Sequence, residues 1–419
     1  MKKLTRSIST LLVILVFVFS SVGATIQNDS EERSVTRSAI SNYRAVQKNS
    51  QLPDEDKIKS AIETYFVTRY EGQKLLEMQS FSILVDDDAS SWVKKEKDKR
   101  EIELYVAQLF ELSYQSYDFQ LNYGSIDIQN NKATVSLKES HQVVFQAIAP
   151  EVSEMSNLEH IITLHQKQDG WVITDDQYSD ELTQALAYKS KDEIKKQVDE
   201  NYQQDVERKK NAAASKTLAR PIASVLALIN YSYNRTAARQ YADAHIPTEA
   251  CPTCGYNTAY YKTELDTDCA NFVSQAIYAG EGKTPPDTSG FTTSPTRSYT
   301  TDWYYVFNNP AYGNNGSGSY PWIRVVEKYT FITTNTSKIG PYGFGTSNLC
   351  DIGIGDVVQI KNGGVTYDHE GIVVGKGTGC GTLSNTLVDA HTTDRYHYPI
   401  SYWAGYSLRY IRISGWKGN

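Results

Sequence analysis

The stretch TDCANFVSQAIYAG, Thr267–Gly280, decides how the second half of the chain reads. Asp268 is a favoured N-cap residue, and Phe272, Val273, Ala276 and Ile277 supply an apolar face, so the spacing predicts a helix beginning at Cys269. Downstream of it the texture changes. GIGDVVQIKNGG (353–364), DHEGIVVGKG (368–377) and NTLVDAHTTD (385–394) are short apolar runs with Gly-rich turns between them, and these predict β-strands. A helical lobe followed by a sheet lobe makes this half α+β.

A cysteine at a helix start has two readings. Free cysteine is often simply buried in a core. At a helix N-terminus, however, unpaired amides and the helix dipole favour thiolate, and the same amides can donate to an oxyanion. A nucleophilic thiol needs a base. His369 begins one predicted strand and His391 ends the next, so antiparallel pairing brings the two to one end of the sheet. Asp389 lies two residues before His391 and shares its strand face. Cys269 as nucleophile, His369 as base, and His391 or Asp389 steadying the base form the candidate set. The competing expectation is that these are ordinary residues of the fold.

The chain has 419 residues, enough for two domains, and a net charge of −7. It offers no basic footprint for nucleic acid. Lys2, Lys3 and Arg6 precede an apolar run from Ile8 to Phe19 and small residues at Val22-Gly23-Ala24, the pattern of a signal peptide over 1–24. The mature protein is expected outside the cytoplasm, secreted or associated with the cell wall, without stable membrane insertion. Five cysteines, Cys251, Cys254, Cys269, Cys350 and Cys380, leave an odd thiol where disulfides persist. CPTCG at 251–255 has the spacing of half a zinc knuckle, so the four cysteines other than Cys269 form either two disulfides or one four-thiolate zinc site.

Residues 25–52 read as a polar tether. From 53 to 181, two predicted helices (Pro53–Glu77 and Trp92–Tyr117) precede alternating stretches at 117–129, 132–146, 159–168 and 170–178, which predict an antiparallel meander and an α+β domain. His141, His160 and His165 read as packed or surface residues. Asp86, Asp87 and Asp88 read as a solvated turn rather than a cation site. Residues 182–221 are highly charged and predict an exposed helical spacer. The C-terminal domain spans 222–419.

The order of elements and the ending DGWVITDDQYSDE (169–181) make the N-terminal domain similar to the cone-shaped α+β modules of the nuclear-transport-factor type. In the C-terminal domain, NYSYNRTAARQYADAH (230–245), DCANFVSQAIYAG (268–280), Trp303, YPWIRVVEKY (320–329), GDVVQIKNGGVTYDHEGIVVG (355–375) and DAHTTDRYHYPIS (389–401) resemble the bacterial putative amidase domain family. That family is related to NlpC-type and CHAP cell-wall hydrolases and, more distantly, to papain. The resemblance implies a papain-like fold, Cys269 as nucleophile, His369 as general base and then acid, and His391 holding the second nitrogen of His369. It implies a peptidoglycan or peptide amide as substrate, with no cofactor and no catalytic metal. The insertion CPTCGYNTAYYKTELD (251–266) departs from the family pattern. Rival functions are a protease or acyltransferase acting on other extracellular amides, and a binding module whose catalytic apparatus is vestigial.

Overall fold

The computed structural model describes residues 28–86, 90–212, 229–251, 253–263, 267–286, 301–307 and 317–418. The expected signal peptide, Asp87 and Asp88 lie outside them. The first half comprises α1 (Asn28–Lys48), α2 (Asp54–Leu75), α3 (Ser91–Phe110), β1 (Tyr114–Gln129), β2 (Lys132–Phe145), β3 (Val152–Lys167), β4 (Gly170–Gln177), α4 (Glu181–Leu186) and α5 (Lys191–Ala212). The second comprises β5 (Ile229–Tyr231), α6 (Arg235–Ala244), α7 (Cys269–Gly280), β6 (Tyr305–Val306), β7 (Ser317–Gly318), α8 (Tyr320–Ile323), α9 (Val325–Thr334), β8 (Gly340–Thr346), β9 (Val357–Lys361), β10 (His369–Lys376), β11 (Thr386–Ala390), β12 (Asp394–Pro399) and β13 (Ser407–Gly418). The fold is α+β, as expected. Among the described residues no helix is long and apolar enough to cross a membrane.

Helix α3 starts where its cap dictates, with Ser90 Oγ accepting the Val93 N–H at 3.2 Å. It stops seven residues short of the expected end, because Glu111 takes a left-handed φ of 58° and the chain turns into β1. The meander β1-β2-β3-β4 is antiparallel throughout. The expected tether is not loose: α1 packs on the meander. Tyr43 Oη donates to Trp171 O at 3.0 Å, and Gln47 Oε1 accepts the Trp171 N–H at 3.0 Å.

Strands of both halves share one sheet of eleven, in the order β1-β2-β3-β12-β11-β10-β9-β13-β5, with β4 beside β3 and β8 beside β13. The seam is β3 against β12, pairing Ser156 with Asp394, Met155 with Arg395 and Glu154 with Tyr396. Side chains cross it too: His141 Nε2 meets Tyr398 Oη at 2.5 Å. One core lies on one face of the sheet and joins Phe66 and Trp171 to Val373 and Trp403. A second, on the other face, gathers Phe272, Trp303, Trp322 and Ile372.

Helix α5 corrects the expectation of an exposed spacer. Its charged text hides a stripe at Ile194, Val198, Asn201 and Asp205, all buried. Asn201 Nδ2 donates to Ala404 O and Tyr406 O at 2.7 and 2.8 Å, and Asp205 Oδ1 accepts the Leu383 N–H at 3.0 Å.

The short α4 is fixed by a buried ion pair. Arg395 of β12 lies between the rings of Tyr398 and Tyr402 and donates to both oxygens of Glu181, at 3.2 and 2.8 Å. Replacing Arg395 by Met strands the Glu181 charge, so urea unfolding should show a loss of about 3–5 kcal/mol. The Glu181→Gln/Arg395→Met pair should recover part of it, because no buried charge then lacks a partner.

Candidate active site

The start of α7 is held from several directions. Asn271 Nδ2 donates to Asp268 Oδ1 at 2.9 Å and to Lys262 O at 3.0 Å, while Asn271 Oδ1 accepts Trp322 Nε1 at 2.9 Å. Ser274 Oγ donates to Trp322 O at 2.6 Å. Asp268 occupies the N-cap position, yet its side chain makes no capping bond. Its second oxygen, Oδ2, instead meets His391 Nδ1 at 2.8 Å.

Cys269 is the first residue of α7 and is 6% exposed. It lines a cleft of about 390 Å³ together with Thr267, Val325, Asn362, Tyr367 and His369. Gln184, from α4, reaches the same cleft. Two of the expected site residues, Cys269 and His369, therefore meet at one cleft.

Beneath the thiol, Glu370 and Lys328 form a fully buried ion pair. Gln359 Nε2 donates to the other Glu370 oxygen at 2.5 Å, and Lys328 Nζ donates to Ala270 O at 2.5 Å. Burial pushes the Cys269 thiol up to about 12; Glu370 adds to the rise and Lys328 opposes it. Burial thus works against the thiolate that the helix terminus favours. Burial also lowers the pKa of His369, with Glu181 and Glu370 acting against it. Both shifts favour the uncharged thiol and the uncharged imidazole.

His391 does not hold His369. Its Nδ1 is taken by Asp268 and its Nε2 by His245 O at 2.7 Å, with the ring stacked on Phe272 at 4.0 Å. Burial opposes a charge on this ring, but the Asp268 hydrogen bond and the nearby carboxylates raise its pKa. The reason for the separation is register. Ile372 pairs with Asp389, so the same register carried on sets His391 level with Glu370, on the α7 face, one residue out of phase with His369. Asp389 is also occupied elsewhere, accepting the His397 N–H at 2.8 Å.

The group that faces His369 was missed. Glu181 Oε1 lies 3.8 Å from His369 Nε2, a buried nitrogen with no hydrogen-bond partner, and Trp403 stands edge-on to the imidazole at 5.3 Å. Glu181 opens a charged stretch that reads as an ordinary helix start, and Arg395 lies 214 residues away. No local signal marks it.

The cysteines resolve as two disulfides, Cys251–Cys254 and Cys350–Cys380, which leaves no four-thiolate site and Cys269 as the free thiol. His160 has carboxylate companions that its own strand does not reveal: Asp176 at 2.8 Å and Glu139 at 3.1 Å.

Residues 232–413 match the family model described as a putative amidase domain, the family that the motifs of this half resemble. The match supports an amide hydrolase; it contains Cys269 and His369 and stops short of Glu181. No curated protein matches the chain. Among solved structures, the Kfla4162 protein from Kribbella flavida is similar at 13% identity over 30% of this chain and 92% of its own, with a TM-score of 0.23. A protein described as a putative aromatic ring hydroxylase from Novosphingobium aromaticivorans is similar at 13% identity over 31% and 91%, with a TM-score of 0.22. At those scores neither likeness bears on fold or activity.

The raised thiol gives a direct expectation. Iodoacetamide labelling of Cys269 in the folded, disulfide-intact chain, followed by mass spectrometry, should keep climbing past about pH 9. A plateau near neutrality would mean a preformed thiolate.

Proposed function

We propose that the chain is an exported cysteine amidase that hydrolyses amide bonds of peptidoglycan, in the stem peptide or at its junction with the sugar. The observation that carries this reading is the meeting of Cys269, at a helix start, with His369, at a strand start, in one cleft inside the amidase match. A thiol at a helix start and an imidazole at a strand start, both lining that cleft, support a papain-like reading of this domain. The signal-peptide pattern read in the sequence over 1–24 supports export, and the wall is the amide-rich polymer that an exported hydrolase of this kind meets. In this reading residues 53–181 are a cone-shaped module of the nuclear-transport-factor type, and 222–419 are the catalytic domain.

The mechanism starts from a neutral pair. Cys269 Sγ attacks the amide carbonyl as its proton passes to His369, and the first-turn amides of α7, uncapped by Asp268, receive the oxyanion. His369 then protonates the departing amine, leaving a thioester. Water, deprotonated by His369, cleaves the thioester, releases the acid and restores the thiol. Glu181 is the positioning residue: facing Nε2, it stabilises the imidazolium that forms and leaves Nδ1 for the thiol proton.

Purified cell wall incubated with the protein and with Cys269→Ala, followed by mass analysis of the fragments, tests the substrate. New amine and carboxyl ends should appear only with the intact thiol. Identical fragment profiles would favour a binding-only module, a reading that draws on the burial of Cys269. In an Arg395→Met background, which leaves no guanidinium stranded, Glu181→Gln should lower kcat about 10²-fold with little change in KM. Because Glu181 raises the His369 pKa, its loss should also move the acid limb of the pH–rate profile to lower pH. An unmoved limb would reduce Glu181 to a packing role.

A further inference from the structure

A second cluster of ligand-type side chains lies where α6, β11 and β12 meet. Asp243, Asp389 and His397 each offer one donor atom there, and these atoms all lie within 4.8 Å of one another. His397 Nε2 is 3.1 Å from Asp243 Oδ1, and its Nδ1 is bonded to Glu151 Oε1. Asp389 is fully buried; Oδ1 accepts the His397 N–H, while Oδ2 has no hydrogen-bond partner. The other oxygen of Asp243 accepts Arg239 Nε at 3.2 Å, and the Tyr396 ring stacks on His397 at 3.9 Å.

We propose that Asp243, Asp389 and His397 bind a divalent transition-metal ion of the zinc type, with water in the fourth position. An unpaired carboxylate oxygen in a buried place is costly, and a cation there supplies the missing partner. One imidazole and two carboxylates suit zinc, whose bonds of about 2.0–2.2 Å set ligand atoms roughly 3.3 Å apart in a tetrahedron. The His397–Asp243 separation already has that value to within a few tenths of an ångström, and the third ligand needs a modest approach. Calcium prefers six to eight oxygens and fits less well. Glu151 supplies the outer carboxylate that commonly fixes the tautomer of a metal-bound histidine. Asp243 is 27% exposed at its side chain, which gives the ion an entry path. None of the three ligands lines the Cys269 cleft, so the ion would clamp α6 to the two strands rather than act on substrate.

The test uses the full, tag-free chain with disulfides intact and Cys269→Ser throughout, so that no thiol competes. After chelator treatment and dialysis, titration calorimetry with zinc chloride should show one equivalent bound and a raised thermal midpoint. Cobalt(II) should give the intense d–d absorption of a four-coordinate site. Asp389→Asn and His397→Gln should abolish uptake; Asp243→Asn, on the solvent side of α6, guards against a variant that fails to fold. Glu151→Gln should weaken binding about 10- to 100-fold. Absence of stoichiometric uptake, uptake unchanged in Asp243→Asn, or displacement of zinc by equimolar calcium would each overturn the proposal.

Discussion

The ion pair between Glu181 and Arg395 is the contact on which the rest of the arrangement turns. Two charges taken out of water gain little net stability unless their geometry is good and their remaining donors and acceptors are met. Here the guanidinium reaches both carboxylate oxygens, aromatic rings cover it and Trp403 Nε1 adds a third donor to Glu181 at 3.3 Å, but the buried Arg395 Nη1 has no partner. The pair therefore specifies position more than it adds stability. It locks α4 onto β12, and β12 is the strand that joins the meander to the rest of the sheet. A residue outside the family match is thereby held beside His369.

The alternation of β10 is the second constraint. His369, Gly371 and Val373 face the core that contains Trp403, whereas Glu370, Ile372 and Val374 face α7. Gly371 is required by this closeness: a Cβ there would come within 2.9 Å of Asp389 O and 3.0 Å of the Trp403 ring. One strand thus presents the His369 imidazole on one face and the buried Glu370 carboxylate on the other. Lys328 neutralises that carboxylate, which would otherwise sit uncompensated under the thiol.

Legibility in the sequence tracked the range of the signal. The meander, α2, α7 and the strands β9 to β11 announce themselves through local periodicity and turn chemistry, and Cys269 with His369 stood out because each begins an element. The strand partner of His369 did not, since a one-residue change of register flips a face, and the length of the turn between Lys376 and Thr386 fixes that register only in space. Helix α1 was hidden because its buried stripe includes two polar residues, Thr36 and Gln47, the second of which bonds the meander. Helix α5 was hidden by charge, although its four buried positions keep to helical spacing. Glu181 needed a partner 214 residues away, and no window of sequence spans that distance.

The burial of Cys269 decides what kind of cysteine chemistry the proposed mechanism can use. A thiol held at about 12 would cost on the order of 7 kcal/mol to ionise at neutral pH before any bond is made. Passing the proton to His369 as the carbon–sulfur bond forms avoids that separate step. The imidazolium then forms in a buried place that disfavours it, so a nearby carboxylate matters more in the transition state than at rest. Glu181 stands at 3.8 Å, too far for a hydrogen bond to the neutral ring and near enough to attract a charged one. An interaction weak in the ground state and strengthened only as charge develops raises kcat rather than ground-state affinity.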